Sequence, residues 1–565
     1  MIFAMAVVAL MTAGCQKERV DGMILLAEGF NNNNSKLLVN GNASTWATGD
    51  EVRINGQVAT VDVSANNASV HLDEGVTAPF YGVYPASIYA SNDGANYTLN
   101  LPATYTYATD GTYQVLSSPM VGYTTNNSTM VFKHLTAAVT VEIKNDFGID
   151  VRVTDVTISS NKYKLNGSTN VAIGSSISVD PVEEVSNAAL RQVQMSFGTA
   201  LYINSGSTAR VQVPVLPVGD DNRFTISVTV QNKDDAEMVY TFSKTQGSTQ
   251  GAYSLSRAQM GYAPANFGGV FTVADGKQVR FAPGNLQYQA STGTWRFAKH
   301  QYDAIGNAAG NNVFDDTRSS QSAWIDLFGW GTSGWENRDA NDGKDTIIHY
   351  RPYDYVGTVA SSSAYGYGPR HKEGYVYSYT YSLVGDYANS DWGVYNAISN
   401  GGNRVGQWRT LTGGTDAEWA YLMTIRNAST VSGVSNARYL KAKVADVNGY
   451  IVFPDDFTLP DGLSITSGHI NYNSYLGWSS VTTTLSTSEW AKMEVAGAIF
   501  LPCTGYRSYS SNSASFTADN GYYWSSIYYS ASNAYYAQMG GGSPSFIGNT
   551  AKRLGCSVRL VRDVD

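Results

Sequence analysis

Three cysteines, six histidines and 46 acidic residues in 565 positions hold most of the chemistry this chain could perform. The histidines, His71, His134, His300, His349, His371 and His469, lie far apart, and no two sit at zinc-ligand spacing around a carboxylate. They read as structural or surface residues. Asp339-Ala340-Asn341-Asp342-Gly343-Lys344-Asp345 sets four oxygen-bearing side chains around a glycine, the kind of loop that suits a hard calcium ion. No glutamate follows where a complete calcium loop would place one, so the stretch is read as a solvated turn and no metal is assigned. No GxSxG elbow and no Cys-His arrangement appears. A glycosidase acid pair cannot be picked out. The expectation is a protein that is not an enzyme and carries no cofactor.

The densest chemical signal is aromatic. Of the 31 residues from 506 to 536, 8 are Tyr, 9 are Ser and 3 are Asn. Tyrosine offers wide amphipathic contact at low entropic cost, and Ser and Asn offer adaptable hydrogen bonds, as in antibody loops. The competing reading is a Tyr-rich meander whose rings pack internally. Adjacent tyrosines point to opposite faces when extended, so one ring of each pair need be exposed. Tyr509, Tyr528, Tyr529, Tyr535 and Tyr536 are the expected ligand-binding anchors, with Trp524 and the Tyr522-Tyr523 pair partly in the core.

The elements that must hold such a surface are mostly strands. Charged residues make up only 15% of the chain, while Gly reaches 55 and Tyr 39. Aromatics at that level exclude a disordered chain. The net charge of −9 argues against nucleic acid, which needs a basic stripe. From about 23 to 260, period-2 alternation recurs, as in Val139, Val141 and Ile143 against Thr140, Glu142 and Lys144. That pattern belongs to antiparallel sandwiches with one wet face. A break near Asn145-Asp146-Phe147-Gly148 divides this region into two subdomains. Ten of the eleven Trp lie between Trp295 and Trp524, which puts a further boundary near Gly261 to Gly269. The second half also holds the helix signals. Capping boxes are expected at Thr415-Asp416-Ala417-Glu418 and Ser486-Thr487-Ser488-Glu489, with Gly497 closing the second helix. The expected organisation is a leader at 1–15, sandwiches at 16–146 and 147–262, and an α+β domain at 263–565.

The start, MIFAMAVVALMTAGC, is an apolar run ending in small residues and Cys15, and Met11-Thr12-Ala13-Gly14-Cys15 resembles a bacterial lipobox. No Lys or Arg precedes the run, a departure from the pattern. The resemblance implies lipid on Cys15 and a lipid-anchored protein at the cell surface, on the outer membrane. Cys503 and Cys556, 556 − 503 = 53 residues apart, then remain as an even pair in an oxidising compartment. A structural disulfide is expected. Two small buried residues are the alternative.

The first half resembles the fimbrillin-like lipoproteins of Gram-negative anaerobes. The resemblance rests on Trp46-Ala47-Thr48-Gly49-Asp50-Glu51-Val52, Tyr81-Gly82-Val83-Tyr84-Pro85-Ala86, Phe132-Lys133-His134-Leu135-Thr136-Ala137-Ala138-Val139, and Val153-Thr154-Asp155-Val156-Thr157-Ile158-Ser159 with Leu165-Asn166-Gly167. It covers residues 20 to 260 and implies two transthyretin-like β-sandwich subdomains. It also implies assembly by strand exchange with other fimbrial subunits, after cleavage behind a basic residue, either Arg19 or Arg53. The strand around Met23-Ile24-Leu25-Leu26 is the expected removable one, leaving an open sheet edge for a neighbour to fill.

The second half looks like the C-type-lectin-like domain shared with relatives of the formylglycine-generating enzymes. The carriers are Trp408-Arg409-Thr410-Leu411-Thr412 with Glu418-Trp419, Phe500-Leu501-Pro502 with Gly505-Tyr506-Arg507, Tyr523-Trp524-Ser525-Ser526, and Gly555-Cys556-Ser557-Val558-Arg559-Leu560-Val561-Arg562. That resemblance implies a scaffold, not a chemistry. The copper-binding thiol pair of the oxidases is missing, because the two cysteines stand 53 apart in strand-like runs. Together the resemblances imply a pilus tip or accessory adhesin that reads host or bacterial glycan or glycoprotein and touches the membrane only through its lipid. A surface enzyme and a non-polymerising glycan-binding lipoprotein are the other readings.

Overall fold

The computed structural model describes residues 22–28, 46–64, 67–109, 114–115, 118–246, 254–306, 312, 323–335, 352, 371–373, 376–378, 381–507, 514–515 and 519–564. The expected lipid-anchor residue Cys15, the expected processing residue Arg19, the 339–345 stretch and Tyr509 lie outside them. The described chain is mostly β-sheet, and the N-terminal region is all-β apart from short 3-10 turns.

The first unit is built on an eight-stranded sheet. Its spatial order is Gln57–Thr60, Glu51–Ile54, Phe80–Tyr84, Met120–Thr124, Thr129–His134, Met23–Ala27, Asn67–Val70 and Asp62–Ser64. The strand nearest the start is therefore interior. Met23–Ala27 runs parallel to Thr129–His134 and antiparallel to Asn67–Val70. Alternation decides its faces: Met23 and Leu25 are buried at 0% and 2% exposure, while Leu26 is 49% exposed. Tight packing explains the paired glycines Gly82 and Gly122. A Cβ on Gly82 would lie 2.5 Å from the Phe132 ring, and one on Gly122 would lie 2.8 Å from Met130 Sδ. Trp46 closes the end of this core edge-on to Tyr84 and Phe132, with centroids 5.0 and 5.1 Å apart. The Gly49 turn (φ 96°) that follows is fixed by Asp50, which accepts from Ala47 N at 2.9 Å and from the Tyr84 hydroxyl at 3.1 Å.

The second unit packs the sheet Thr208–Val215, Ala137–Asp146, Met260–Gly268 against the sheet Asp235–Thr245, Phe224–Asn232, Val151–Ser160, Gln192–Ile203, Thr104–Thr106. Val139, Val141 and Ile143 enter its core, as their alternation requires. Ala137–Asp146, which precedes the expected boundary at 146, pairs with Thr208–Val215 and Met260–Gly268 of this unit. Met260–Gly268 runs across the expected boundary at 262. One continuous strand thus leads from the second unit into the C-terminal half. Arg280 donates to Asp146 at 2.9 Å, and Asn232 Nδ2 donates to Asn400 O at 2.8 Å, joining the two further.

The C-terminal half mixes short helices with several small sheets. Lys277–Phe281, near its start, pairs antiparallel with Leu560–Asp563 at its end. The helix Thr487–Val495 has a complete capping box between Ser486 and Glu489, and Gly497 (φ 95°) closes it. The other expected capping box does not form. The helix Glu418–Ala420 starts on Ala417 with no side-chain cap. Glu418 is instead buried and ion-paired with Arg409 at 2.7 Å and Lys277 at 2.8 Å, and these charges hold its carboxyl below the usual range despite burial. The partly buried Arg409 guanidinium claims the carboxylate that a cap would use.

The expected disulfide is absent. Cys503 and Cys556 are free, buried thiols lying in different hydrophobic clusters, and burial pushes both pKa values up. Their neighbours Thr504 and Ser557 do meet, with hydroxyls 2.7 Å apart. A thiol in an apolar core packs as a small hydrophobe, and no bond is needed to keep it there.

Candidate functional site

From Asn520 on, the Tyr-rich segment enters the sheet Asn520–Tyr528, Asn533–Gly540, Ser545–Ala551. Tyr523 pairs with Ala537 and Trp524 with Tyr536 across it. The two rings diverge as strand alternation demands, and both are fully buried. The Tyr523 hydroxyl donates to Pro502 O at 2.8 Å, and Trp524 Nε1 donates to Phe328 O at 2.6 Å. These two residues are the floor that fixes the sheet.

The four described anchors do not share one environment. Tyr529 is 51% exposed. It stands edge-on to half-buried Tyr535, with centroids 5.2 Å apart and planes at 86°. Tyr535 rests beside Gly413 and Gly414, where a Cβ on Gly413 would fall 2.7 Å from Tyr535 Cβ. Tyr528 is half-buried and shares Lys552 Nζ with Trp330, the ammonium lying 5.9 and 4.8 Å from the two centroids. Tyr536 belongs to a separate edge-to-face ladder through Tyr522 to Tyr506, with centroid spacings of 5.4 and 5.7 Å. Burial, then the neighbouring phenols and thiols, pushes the Tyr522 pKa up to about 12, and burial raises Tyr536 too. These hydroxyls therefore stay neutral hydrogen-bonding groups at ordinary pH.

The structure adds a segment that residue spacing did not single out. Leu383 N donates to Ser526 O at 2.7 Å, and Tyr528 N donates to Ser382 Oγ at 3.4 Å. These bonds bring the Tyr381–Tyr387 ring pair, 4.3 Å apart, and exposed Val384 to the same edge as Tyr529. The signal was present: five of the thirteen residues from 375 to 387 are Tyr, the vocabulary already noted in 506–536. The edge carries hydroxyl-bearing rings with Ser and Asn between them, beside exposed Val384, which suits contact. Among the described residues, no group of three His, Cys, Asp or Glu is arranged to hold a metal ion. No helix among them is long and apolar enough to cross a membrane.

Arg53, the other processing candidate, sits in the strand Glu51–Ile54, paired with Gln57–Thr60 and with Phe80–Tyr84. Its guanidinium donates to Gly56 O at 2.8 Å and lies 4.7 Å from the Tyr89 centroid. A protease reaching that bond would have to open the hairpin. The Met23–Ala27 strand lies between Arg19 and Arg53, so cleavage behind the first leaves it on the chain and cleavage behind the second removes it.

Comparison with known proteins gives a family model described as a domain of unknown function (DUF8237), matching residues 450–561. No curated protein matches the chain. Among solved structures, the chain is similar to a "putative cell adhesion protein" from Bacteroides uniformis, at 16% identity over 41% of this chain and 98% of that one, TM-score 0.22. Another, with the same description, comes from Bacteroides ovatus, at 13% identity over 41% and 88%, TM-score 0.23. A fimbrial protein from Bacteroides ovatus aligns at 10% identity over 96% of this chain and 99% of that one, TM-score 0.20. TM-scores at this level do not establish a shared fold.

Proposed function

We propose that this chain is a cell-surface, lipid-anchored adhesin, a pilus tip or accessory subunit that binds glycan or protein through its C-terminal half and performs no catalysis. The observation that carries this reading is the aromatic edge. Tyr529 stands 51% exposed against half-buried Tyr535, on a sheet that the fully buried Tyr523 and Trp524 fix and that hydrogen bonds join to the segment carrying the Tyr381–Tyr387 pair. Rigid, half-exposed tyrosines lose little entropy on contact, which is what a recognition surface needs. The N-terminal half acts as the assembly base, a pair of transthyretin-like sandwiches. Its first strand is interior in the eight-stranded sheet, so its loss would open a groove flanked by Thr129–His134 and Asn67–Val70. The C-terminal half is the lectin-like head, and its final strand is paired with Lys277–Phe281, so it is not free to be donated.

The test uses the full chain on immobilised mucin and fibronectin, compared with a Tyr529→Ala, Tyr535→Ala double variant. Truncated interface tyrosines commonly cost upwards of about 1 kcal/mol each, so affinity should fall roughly tenfold or more. A Tyr529→Ala single variant, whose ring is exposed, should leave unfolding nearly unchanged and still lose affinity, separating contact from the packing of half-buried Tyr535. Unaltered binding to both surfaces, or a variant that unfolds, would show that the rings are structural.

A further inference from the structure

The end of the Met23–Ala27 strand makes a contact that the sandwich core does not need. Glu28 N continues the ladder, donating to Phe132 O at 2.8 Å. Its carboxylate then accepts from His134 N at 3.1 Å, taking the place of the next ladder carbonyl. The same carboxylate is gripped by Arg257, with Nη1 at 2.6 Å from Oε2 and Nη2 at 3.2 Å from Oε1. Arg257 comes from far along the chain, 229 residues away, just before the strand Met260–Gly268. Its remaining donors are directed to His134 O at 3.2 Å and Ile177 O at 3.3 Å. Both side chains are about a quarter exposed, at 23% for Arg257 and 24% for Glu28, so solvent only partly screens the pair. A two-pronged guanidinium–carboxylate contact fixes direction as well as charge.

Resting on the strand-exchange reading above, we infer that the groove is specific for a donor strand of another subunit that runs parallel to Thr129–His134 and carries an acidic residue where Glu28 stands. The groove reads three points along such a strand. Apolar side chains at its first and third positions fill the places of Met23 and Leu25, both in the core cluster with Met130 and Phe132. A carboxylate at its sixth position meets Arg257 and the His134 amide. A donor with an amide there keeps the shape but loses the charge and one acceptor oxygen, setting an NH2 against the guanidinium, and one with a lysine sets like charges together. The chain's own C-terminal run repeats the spacing in Val558, Leu560 and Asp563. That Asp563 is already held by Arg409 and its strand by Lys277–Phe281, so this run is not free to enter the groove.

The experiment keeps every residue of the protein present. A site-specific protease sequence is introduced at positions 31–34 of the full chain and cut, leaving the native strand bound but severed. Labelled peptides with the sequence of residues 22–28, bearing Glu, Gln or Lys at the last position, then compete for the groove. The Glu peptide should bind at least about tenfold more tightly than the Gln peptide, and the Lys peptide more weakly still. In an Arg257→Met chain the Glu preference should shrink below about twofold. Equal binding of Glu and Gln peptides to the unaltered chain overturns acid recognition while leaving strand exchange standing. If no peptide displaces the severed strand, strand exchange itself falls, and acid recognition with it. Should the Arg257→Met chain fail to fold, the three-peptide series on the unaltered chain decides alone.

Discussion

Replacing Leu25 by Ala tests the register of the first strand, because its neighbour supplies the control. Leu25 is 2% exposed and sits in the core cluster with Val52, Val70, Met130 and Phe132, whereas Leu26 is 49% exposed on the opposite face. Truncating a buried leucine loses the transfer energy of its carbons and leaves a cavity, together about 3 to 4 kcal/mol. The same change at Leu26 should cost below about 1 kcal/mol, since half its surface already meets water. The chain has more than one unit, so global unfolding is a poor readout, and local hydrogen exchange is better suited. If strand opening limits exchange, the amides of 23–28 and of 129–134 should exchange about a hundredfold faster or more in Leu25→Ala. They should change less than about tenfold in Leu26→Ala. Exchange in Asn520–Tyr528 should not move in either variant. Equal effects at the two leucines would mean that the strand is not held in this register, and the groove argument would go with it.

Three further outcomes follow from buried groups. His134 is pushed down to about 4, chiefly by burial. Its folded pKa lies below its unfolded value, so the first unit should lose up to about 3 kcal/mol as pH falls from 6.5 to 4, read by urea titration with exchange over 129–134. Glu494, pushed up to about 7 by burial, has the opposite sign: its stability is present at low pH and lost as pH rises through 4.5 to 7. Glu494→Gln keeps the acceptor for Gln301 Nε2 (2.9 Å), so it should stabilise the chain at pH 8 by up to about 3 kcal/mol and change little at pH 4. Under denaturing, non-reducing conditions, both Cys503 and Cys556 should take up an alkylating reagent; two masses without the label would show a disulfide.

The sandwich strands were legible because period-2 alternation is a local signal. Val139, Val141 and Ile143 are buried as written, as are Val228 and Val230 in Phe224–Asn232. Which sheet each strand joins is a long-range choice. Nothing local tells Ala137–Asp146 to pair with Met260–Gly268, more than a hundred residues later. The failed cap at Thr415 has the same origin, since Arg409 and Lys277 claim Glu418 through tertiary contact. The cysteine pair was reasoned from compartment and count, and neither fixes side-chain direction. At the aromatic edge, composition singled out 506–536, and of its four described anchors only Tyr529 is exposed, while Tyr528, Tyr535 and Tyr536 are half-buried. The divided roles of Tyr528, Tyr529, Tyr535 and Tyr536 came from partners elsewhere in the chain: Lys552, Gly413 and Tyr506. The Tyr381–Tyr387 pair was missed for lack of an adjacent motif, though its composition matched.

The central claim, that ligand is read by the C-terminal aromatic edge, is met most directly by a hydrogen-exchange footprint of the full chain with and without bound mucin glycopeptide. Protection should appear in 381–387 and in Asn520–Tyr528 and Asn533–Gly540, with none in Glu51–Ile54 or Thr129–His134. Protection confined to the first unit, with the aromatic edge unchanged at saturating glycopeptide, would contradict the account.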